Sequence, residues 1–167
     1  MYFFLQAITT RCWIVSINWV KECLRQDILL TPDAYEVLDT NQVPGPRRSR
    51  LFPKASKLFD GFEICINGTL SCISKEDLTQ LLKEEGAQIV RSVHSMSFKK
   101  NVKGMIIIDS KNEVAEKDAE RNWKAFKLVT VTKHWCMDSL SGFSIKSVFQ
   151  DLVYNVDMLE ITMLGYK

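Results

Sequence analysis

Side chains that could carry out catalysis or hold a metal form no clustered motif in this sequence. The two histidines, His94 and His134, have no cysteine cluster beside them, and the five cysteines lack paired C-x-x-C spacing. The sequence also contains no glycine-rich phosphate loop. Catalysis needs a nucleophile, a base and an orienting group that converge. The sequence therefore predicts a non-enzymatic protein with no metal, no cofactor and no small-molecule substrate.

A basic run in a turn-rich stretch is a candidate for binding chemistry. It follows Pro44-Gly45-Pro46, and we interpret residues 39–57 as a basic linker without a helix, because prolines around a glycine oppose helix formation. Basic residues of this kind either contact an acidic partner or a neighbouring unit, or are simply solvated. The residues predicted to make such contacts are Arg47, Arg48, Arg50 and Lys133.

Two tryptophans provide the strongest pattern. Trp19 is followed four residues later by Cys23, and Trp135 is followed four residues later by Ser139. Each tryptophan comes shortly after β-branched residues, and helical spacing places the small side chain under the indole. Tryptophans of this kind usually pack in a core. Their recurrence after 116 residues predicts two related units rather than one enzyme.

Composition limits the class of protein. With 46% hydrophobic and 25% charged residues, the chain is an ordinary globular sequence. Its net charge of +2 implies no strong attraction to nucleic acid or membrane. The apolar opening lacks a basic n-region, and Arg11 interrupts it before a membrane-spanning length is reached. We expect neither secretion nor a membrane segment, and reduced cysteines as in the cytosol or nucleus.

The predicted elements alternate between strands and helices. Residues 1–11 are predicted to be the end of a buried helix or an apolar lead-in, 12–17 a strand, and 18–26 a helix capped by Asn18. Further along, strands are predicted at 62–66, 88–90, 105–108 and 128–131. The helices between them are predicted to start at a Ser74 capping box and at Asn112, with a final helix around Trp135. Residues 92–103 are predicted to be a polar loop.

This order predicts an α/β fold, a four-stranded and mostly parallel sheet flanked by helices. The strand, the helix ending at Gly86-Ala87, the next strand and the Trp135-x-x-x-Ser139 helix resemble a BRCT repeat, although Gly-Gly is usual where Gly-Ala stands here. The segment around Trp19 resembles the end of a preceding repeat. The resemblance implies a C-terminal remnant of a first repeat at 1–38, the linker at 39–57, a complete second repeat at 58–142, and a tail at 143–167 for which we have no interpretation.

By resemblance, the chain is expected to be a protein-protein interaction module of a nuclear DNA-damage-response or DNA-repair protein, within a ubiquitin-ligase or chromatin-recruitment complex. The family binds phosphoserine through its first repeat. Here the matching Thr-x-Lys positions hold Met1 and Phe3, which cannot bind phosphate, so we expect that pocket to be missing. The positions of the neighbouring peptide groove are Leu5, Leu81 and Met137, which would equally serve as packing between helices. The structural core of the repeats is assigned to Trp19, Cys23, Gly86, Trp135 and Ser139.

A second hypothesis belongs to another class. The basic linker, with Arg47, Arg48 and Arg50, and the loop Lys99–Lys103 could bind nucleic acid or poly(ADP-ribose). Such binding weakens steeply with salt. Few aromatic residues are interleaved with these basic side chains, so we expect it to be weak.

Overall fold

The computed structural model describes residues 1–39, 42–53, 55–99 and 101–166. Its centre is a sheet of four parallel strands, in the spatial order β2-β1-β3-β4. The strands are β1 (Phe62–Ile66), β2 (Gln88–Val90), β3 (Lys103–Ile108) and β4 (Val129–Thr132). The prediction of an α/β fold with a four-stranded parallel sheet is therefore confirmed.

The helices of the described residues lie before, between and after these strands. They are α1 (Tyr2–Thr9), α2 (Ile17–Gln26), α3 (Gly45–Leu51), α4 (Lys75–Glu84), α5 (Glu113–Phe126), α6 (Lys133–Ser141) and α7 (Met158–Met163). Short 3-10 turns stand at Asp33–Tyr35 and Val93–Ser95. The second turn lies within the predicted polar loop, of which Lys100 is outside the described residues.

The two faces of the sheet are covered differently. One face carries Ile64, Met105 and Val131, and it shares the main core with α1, α4 and α6. The other face carries a smaller cluster that includes Ile106 and Leu128. Helix α5 contacts β4 and borders a cleft over this second face. Alternation of side chains along each strand separates the two clusters.

Local signals set the ends of the helices in the second half of the chain. Ser74 caps α4 by accepting a hydrogen bond from the Asp77 amide at 3.0 Å. Asn112 caps α5 in the same way, accepting from the Ala115 amide at 2.9 Å. Gly86, with φ of +92°, follows α4 in the left-handed region that glycine tolerates. These predicted boundaries are confirmed.

Two predictions near the first tryptophan are wrong. Residues 12–17 do not form a strand, since only Val15 pairs, through a single antiparallel bridge to Glu36. An extended segment needs neighbouring strands to bond with, and the described residues offer only this one partner. The cap of α2 is Ser16, which accepts from the Asn18 amide at 3.3 Å, whereas Asn18 itself lies inside the helix.

The prediction of a helix-free linker is also wrong, because α3 lies within it. Pro46 stands in the first turn, where a missing amide hydrogen costs no intrahelical bond. The helix packs closely on its neighbours. A Cβ on Gly45 would lie 1.7 Å from the Ser141 carbonyl oxygen, and the buried Ser49 hydroxyl donates to the Ile8 carbonyl. These contacts decide the conformation of residues 45–51. Thr40, Asn41 and Lys54, in the same predicted linker, lie outside the described residues.

The described part of the tail, residues 143–166, closes the main core. Leu152 forms an antiparallel bridge with Val131 at the end of β4. Ile161 of α7 is fully buried, and the Tyr166 hydroxyl donates to the Gly104 carbonyl at 2.6 Å. Burial raises the pKa of that phenol well above its ordinary value. The described part of the tail therefore packs with the sheet.

Candidate interaction surfaces of two repeated units

The two tryptophans make the same hydrogen bond. Trp19 Nε1 donates to the Leu30 carbonyl at 3.0 Å. Trp135 Nε1 donates to the Lys146 carbonyl at 2.8 Å. In both cases the acceptor stands eleven residues after the tryptophan. Each indole therefore fixes the segment that follows its helix.

The small residues complete the same arrangement. The Cys23 sulfur accepts a hydrogen bond from the Leu30 amide at 3.3 Å. The Ser139 hydroxyl accepts one from the Lys146 amide at 3.0 Å. In each copy the indole and the small side chain thus satisfy the carbonyl and the amide of one residue. The spacing of four residues that stood out in the sequence has this physical role.

The segments before the tryptophans repeat as well. The Ser16 amide donates to the Tyr35 carbonyl at 2.8 Å, and 116 residues later the Thr132 amide donates to the Asp151 carbonyl at 3.0 Å. Likewise, the bridge of Val15 to Glu36 recurs as the bridge of Val131 to Leu152. These long-range pairs recur with the same offset as the tryptophans.

The two copies differ in what covers them. Trp135 is fully buried, and its ring packs edge to face against Phe59, with 5.8 Å between the ring centres. Trp19, in contrast, is only half-buried. Along α6, the side chains of Lys133, Cys136 and Leu140 are 4%, 0% and 0% exposed. The matching positions on α2 are Ile17, Val20 and Leu24, which are 64%, 42% and 77% exposed. We call these three residues the α2 face.

The predicted groove residues come together from three helices. Leu5 lies on α1, Leu81 on α4 and Met137 on α6, and all three belong to the main core. Leu5 and Leu81 are 1% and 0% exposed. Together with Met137 they form a packed seam between α1, α4 and α6.

A buried ion pair that sequence reasoning missed stands beside this seam. Arg11 pairs with Glu85 at 2.8 Å, and the Glu85 carboxylate is fully buried. The same carboxylate accepts from the Leu58 amide at 3.2 Å. The Arg11 guanidinium also lies 4.4 Å from the centre of the Phe143 ring. No local pattern connects residues this far apart in sequence, so only the fold brings them together.

Most of the predicted basic contacts are made within the chain. Arg50 pairs with Glu36 at 3.0 Å and lies 3.3 Å from the centre of the Trp13 ring. Arg48 donates to the Gly142 carbonyl at 3.2 Å. Arg47 is exposed. The structure does not gather Lys133 with these arginines.

Lys133 instead joins the loops that follow β1 and β3. It is 4% exposed and donates to the Asp109 carboxylate and the Ser71 hydroxyl. Asp109 also accepts from the Ser71 amide at 2.6 Å. These hydrogen bonds, the one from Lys133 first, lower the pKa of Asp109 to about 2.

Reactive groups are not gathered in the part of the chain that the structure describes. It contains no group of three or more His, Cys, Asp or Glu side chains that could hold a metal ion. Burial raises the pKa of the Cys136 thiol to about 12, so that thiol stays protonated. Among the described helices, none has the length and apolar character that a bilayer crossing requires.

Sequence comparison finds relatives among the BRCA1-associated RING domain proteins and the breast cancer susceptibility proteins. The chain is 38% identical over 86 residues to human BRCA1-associated RING domain protein 1, which covers 50% of this chain and 10% of that protein. It is 26% identical over 148 residues to the mouse breast cancer type 1 susceptibility protein homolog, covering 86% of this chain and 8% of the relative. The chain therefore spans about a tenth or less of the length of these relatives. None of the protein-family models matches it.

Solved structures decide the fold family. The BRCT5-BRCT6 domains of S. pombe Brc1 superpose with a TM-score of 0.54 at 15% identity, covering 96% of this chain and 79% of that one. The chain has a BRCT fold. Rtt107p, solved in complex with a phosphorylated histone, superposes with a TM-score of 0.62 at 15% identity, covering 92% and 71%. At such identities the likeness concerns the fold alone, and the resemblance to BRCT repeats is confirmed.

Proposed function

We propose that this chain is a non-enzymatic protein-protein interaction module of a nuclear DNA-damage-response protein. Its similarity to a BRCA1-associated protein and a breast cancer susceptibility protein, together with its BRCT fold, supports this proposal. The human relative is named as a RING domain protein. On that basis we extend the proposal to a ubiquitin-ligase or chromatin-recruitment complex. The observation that carries the proposal is the exposed α2 face, because a contiguous apolar surface on a folded protein is usually covered by a partner.

The proposal includes a division of the chain. Residues 1–38 are the C-terminal part of a first BRCT repeat, 39–57 the linker, and 58–142 a complete second repeat followed by the tail at 143–167. The hydrogen bonds and bridges that recur after 116 residues support the equivalence of the two units. With the same offset, α1 corresponds to the second half of α5, and the rest of the first unit corresponds to β4, α6 and the segment after them.

The same equivalence indicates what covers the α2 face. On α6, the matching side chains Cys136 and Leu140 belong to a core that includes Phe62 and Ile64 of β1. The occupant of the α2 face is therefore the apolar face of a parallel β-sheet, arranged as in residues 62–132. It is contributed by polypeptide other than the sheet described here, since α6 already covers that one.

Docking by this chain is proposed to be independent of phosphate. The positions that match the phosphate-binding Thr-x-Lys of the family hold Met1 and Phe3, which are 70% and 81% exposed. A thioether and a phenyl ring offer no hydrogen-bond donor to a phosphate. The neighbouring groove positions are filled by the packed seam of Leu5, Leu81 and Met137.

The α2 face is tested with a double variant, Ile17→Gln and Leu24→Gln, which keeps good helix formers on the surface. We expect ANS fluorescence and concentration-dependent association, measured by light scattering after gel filtration, to fall, with the urea midpoint unchanged. Val114→Gln is the matched control, because Val114 is 71% exposed but lies on α5. Unchanged ANS binding and association in the double variant would contradict the proposal. A stable wild-type dimer lost in the variant would mean that the occupant is a second copy.

A further inference from the structure

A cleft of about 650 Å³ lies at the carboxyl edge of the sheet, outside the surfaces described so far. Its walls are the loops that follow β1 and β3 and the first half of α5. β1 and β3 are neighbours, and the chain continues from β1 to β2 on one side and from β3 to β4 on the other. In open α/β sheets, a crevice at such a reversal of strand order is a common place for a ligand.

The charged residues that line this cleft are all acidic. They are Asp109, Glu113 and Asp118, and among the described lining residues there is no lysine or arginine. Asn67 and Asn122 add amide groups to the walls. A negative lining favours a cation and disfavours phosphate or another anion.

The acidic groups are not equally available. Asp109 is engaged by the buried Lys133. Asp118 pairs with Arg121 at 2.9 Å, but both side chains are substantially exposed, at 45% and 74%. An exposed pair of this kind is weak and exchanges partners readily. Asp118 therefore remains available to a cation from outside, and the exposed Glu113 adds a second carboxylate at the rim.

Thr130 provides the second and independent observation. It lies on β4 opposite Ile106 of β3 and lines the cleft. The residue is 6% exposed, and its buried hydroxyl has no hydrogen-bond partner among the described residues. A buried hydroxyl without a partner destabilises a folded protein. A ligand that brings hydrogen-bond donors into the cleft would satisfy it.

The remaining lining residues are mostly small or apolar. Gly68 has open space where a Cβ would stand, and Ala115 and Ala119 are the small residues of α5 that face the cleft. Ile106 and Ile108 supply an apolar wall. An arginine side chain combines a flat guanidinium of five donors with an apolar stem, which matches these surfaces.

We propose that this cleft binds an arginine side chain of a partner polypeptide. The Asp118 carboxylate would supply the counter-charge, and the Thr130 hydroxyl oxygen would accept one guanidinium N–H. This interaction does not use the α2 face, so either proposal can fail without the other.

The first test compares two peptides in NMR titrations of the isotope-labelled full chain. One is acetyl-Gly-Arg-Gly-amide, and the other carries citrulline, a neutral isostere of arginine. We expect saturable shifts with the arginine peptide at amides of residues 67–69, 109–119 and 130, and weak or no shifts with citrulline. Equal binding of both peptides, shifts elsewhere only, or no saturation at millimolar concentration would overturn the proposal.

The second test separates binding from folding. Thr130→Val removes the hydroxyl without changing shape, so we expect the melting temperature to rise while affinity for the arginine peptide falls about tenfold. Asp118→Asn is expected to lower the affinity for the arginine peptide by a similar factor. Glu116→Gln is the matched control, because Glu116 is exposed on the same helix but does not line the cleft. Unchanged affinity in Thr130→Val and Asp118→Asn, or an equal loss in Glu116→Gln, would show that the cleft is not the site.

Discussion

At the level of single residues, Lys133 of α6 and its counterpart on α2 lie in different surroundings. Lys133 begins α6, where it is buried and bonded to Asp109 and Ser71. The matching position of α2 holds Ile17, which is exposed. A lysine is rarely buried unless its charge has a partner. The loops after β1 and β3 supply those partners, and the ammonium ties both loops to the start of α6.

The hydrogen bond from Lys133 to Asp109 predicts a specific dependence of stability on pH. The folded pKa of Asp109 is lowered from 3.8 to about 2, so ionised Asp109 stabilises the fold above about pH 4, and this contribution is lost as the pH falls toward 2. We expect Asp109→Asn to lower the melting temperature at pH 6. The difference in melting temperature between the variant and the wild type should shrink as the pH falls from 4 to 2.

Thermal unfolding followed by circular dichroism at a series of pH values measures this difference. Subtracting the variant from the wild type removes the contribution of the other carboxylates. A difference that stays constant between pH 6 and pH 2 would contradict the role assigned to Asp109.

At the level of elements, α2 and α6 are equivalent helices in unequal surroundings. Both follow an antiparallel bridge and carry a tryptophan whose indole bonds a carbonyl eleven residues later. Helix α6 is packed into the main core, whereas no residue of α2 is fully buried. Packing against a sheet, rather than the helix sequence alone, therefore decides how much a side chain contributes to stability.

This contrast gives a matched pair of substitutions 116 residues apart. Leu140→Ala should lower the free energy of unfolding by about 2–5 kcal/mol, because it removes a fully buried side chain. Leu24→Ala should change it by less than about 0.5 kcal/mol, since Leu24 is 77% exposed. Urea denaturation measures both values. Similar losses in the two variants would mean that α2 is packed as tightly as α6.

At the level of the whole molecule, α1 and α3 join the N-terminal part of the chain to the helices around the sheet. Leu5 of α1 lies in the seam with α4 and α6, and Arg11, just after α1, forms the buried ion pair with Glu85. Helix α3 lies against α1 and α6. Breaking a buried ion pair by removing one partner is costly. These contacts pack α1 and α3 against the helices that flank the sheet.

The filled seam predicts the response to phosphopeptides. Fluorescence anisotropy with a phosphoserine-x-x-Phe peptide should give the same weak signal as with its dephosphorylated form. The reason is that the side chains of Met1 and Phe3 have no hydrogen-bond donor for a phosphate. Micromolar affinity that is lost on dephosphorylation would contradict the proposed absence of the pocket.

A duplex DNA probe tests the nucleic-acid hypothesis in the same assay. Binding that is tight in low salt and falls steeply toward physiological salt would favour the nucleic-acid hypothesis instead.

Much of this organisation was predictable from the sequence, because its signals are local. The caps Ser74 and Asn112 bond amides only three residues away. The pattern of Trp19 with Cys23 and Trp135 with Ser139 recurs because four residues span one helical turn. Alternation along β1 and the apolar run of β3 indicated buried strands, and their order indicated a parallel sheet.

Other features depended on residues far apart in the chain. Local rules predicted no helix at residues 45–51, yet docking onto α1 and α6 stabilises α3 there. The pairing of Arg11 with Glu85 and of Lys133 with Asp109, and the packing of the tail through Tyr166, likewise join distant segments. Local sequence was enough to specify the strands, most helix ends and the repetition of a unit. Three-dimensional packing was needed to specify which faces are covered and which charges meet, because burial and ion pairing depend on neighbours in space rather than on neighbours in sequence.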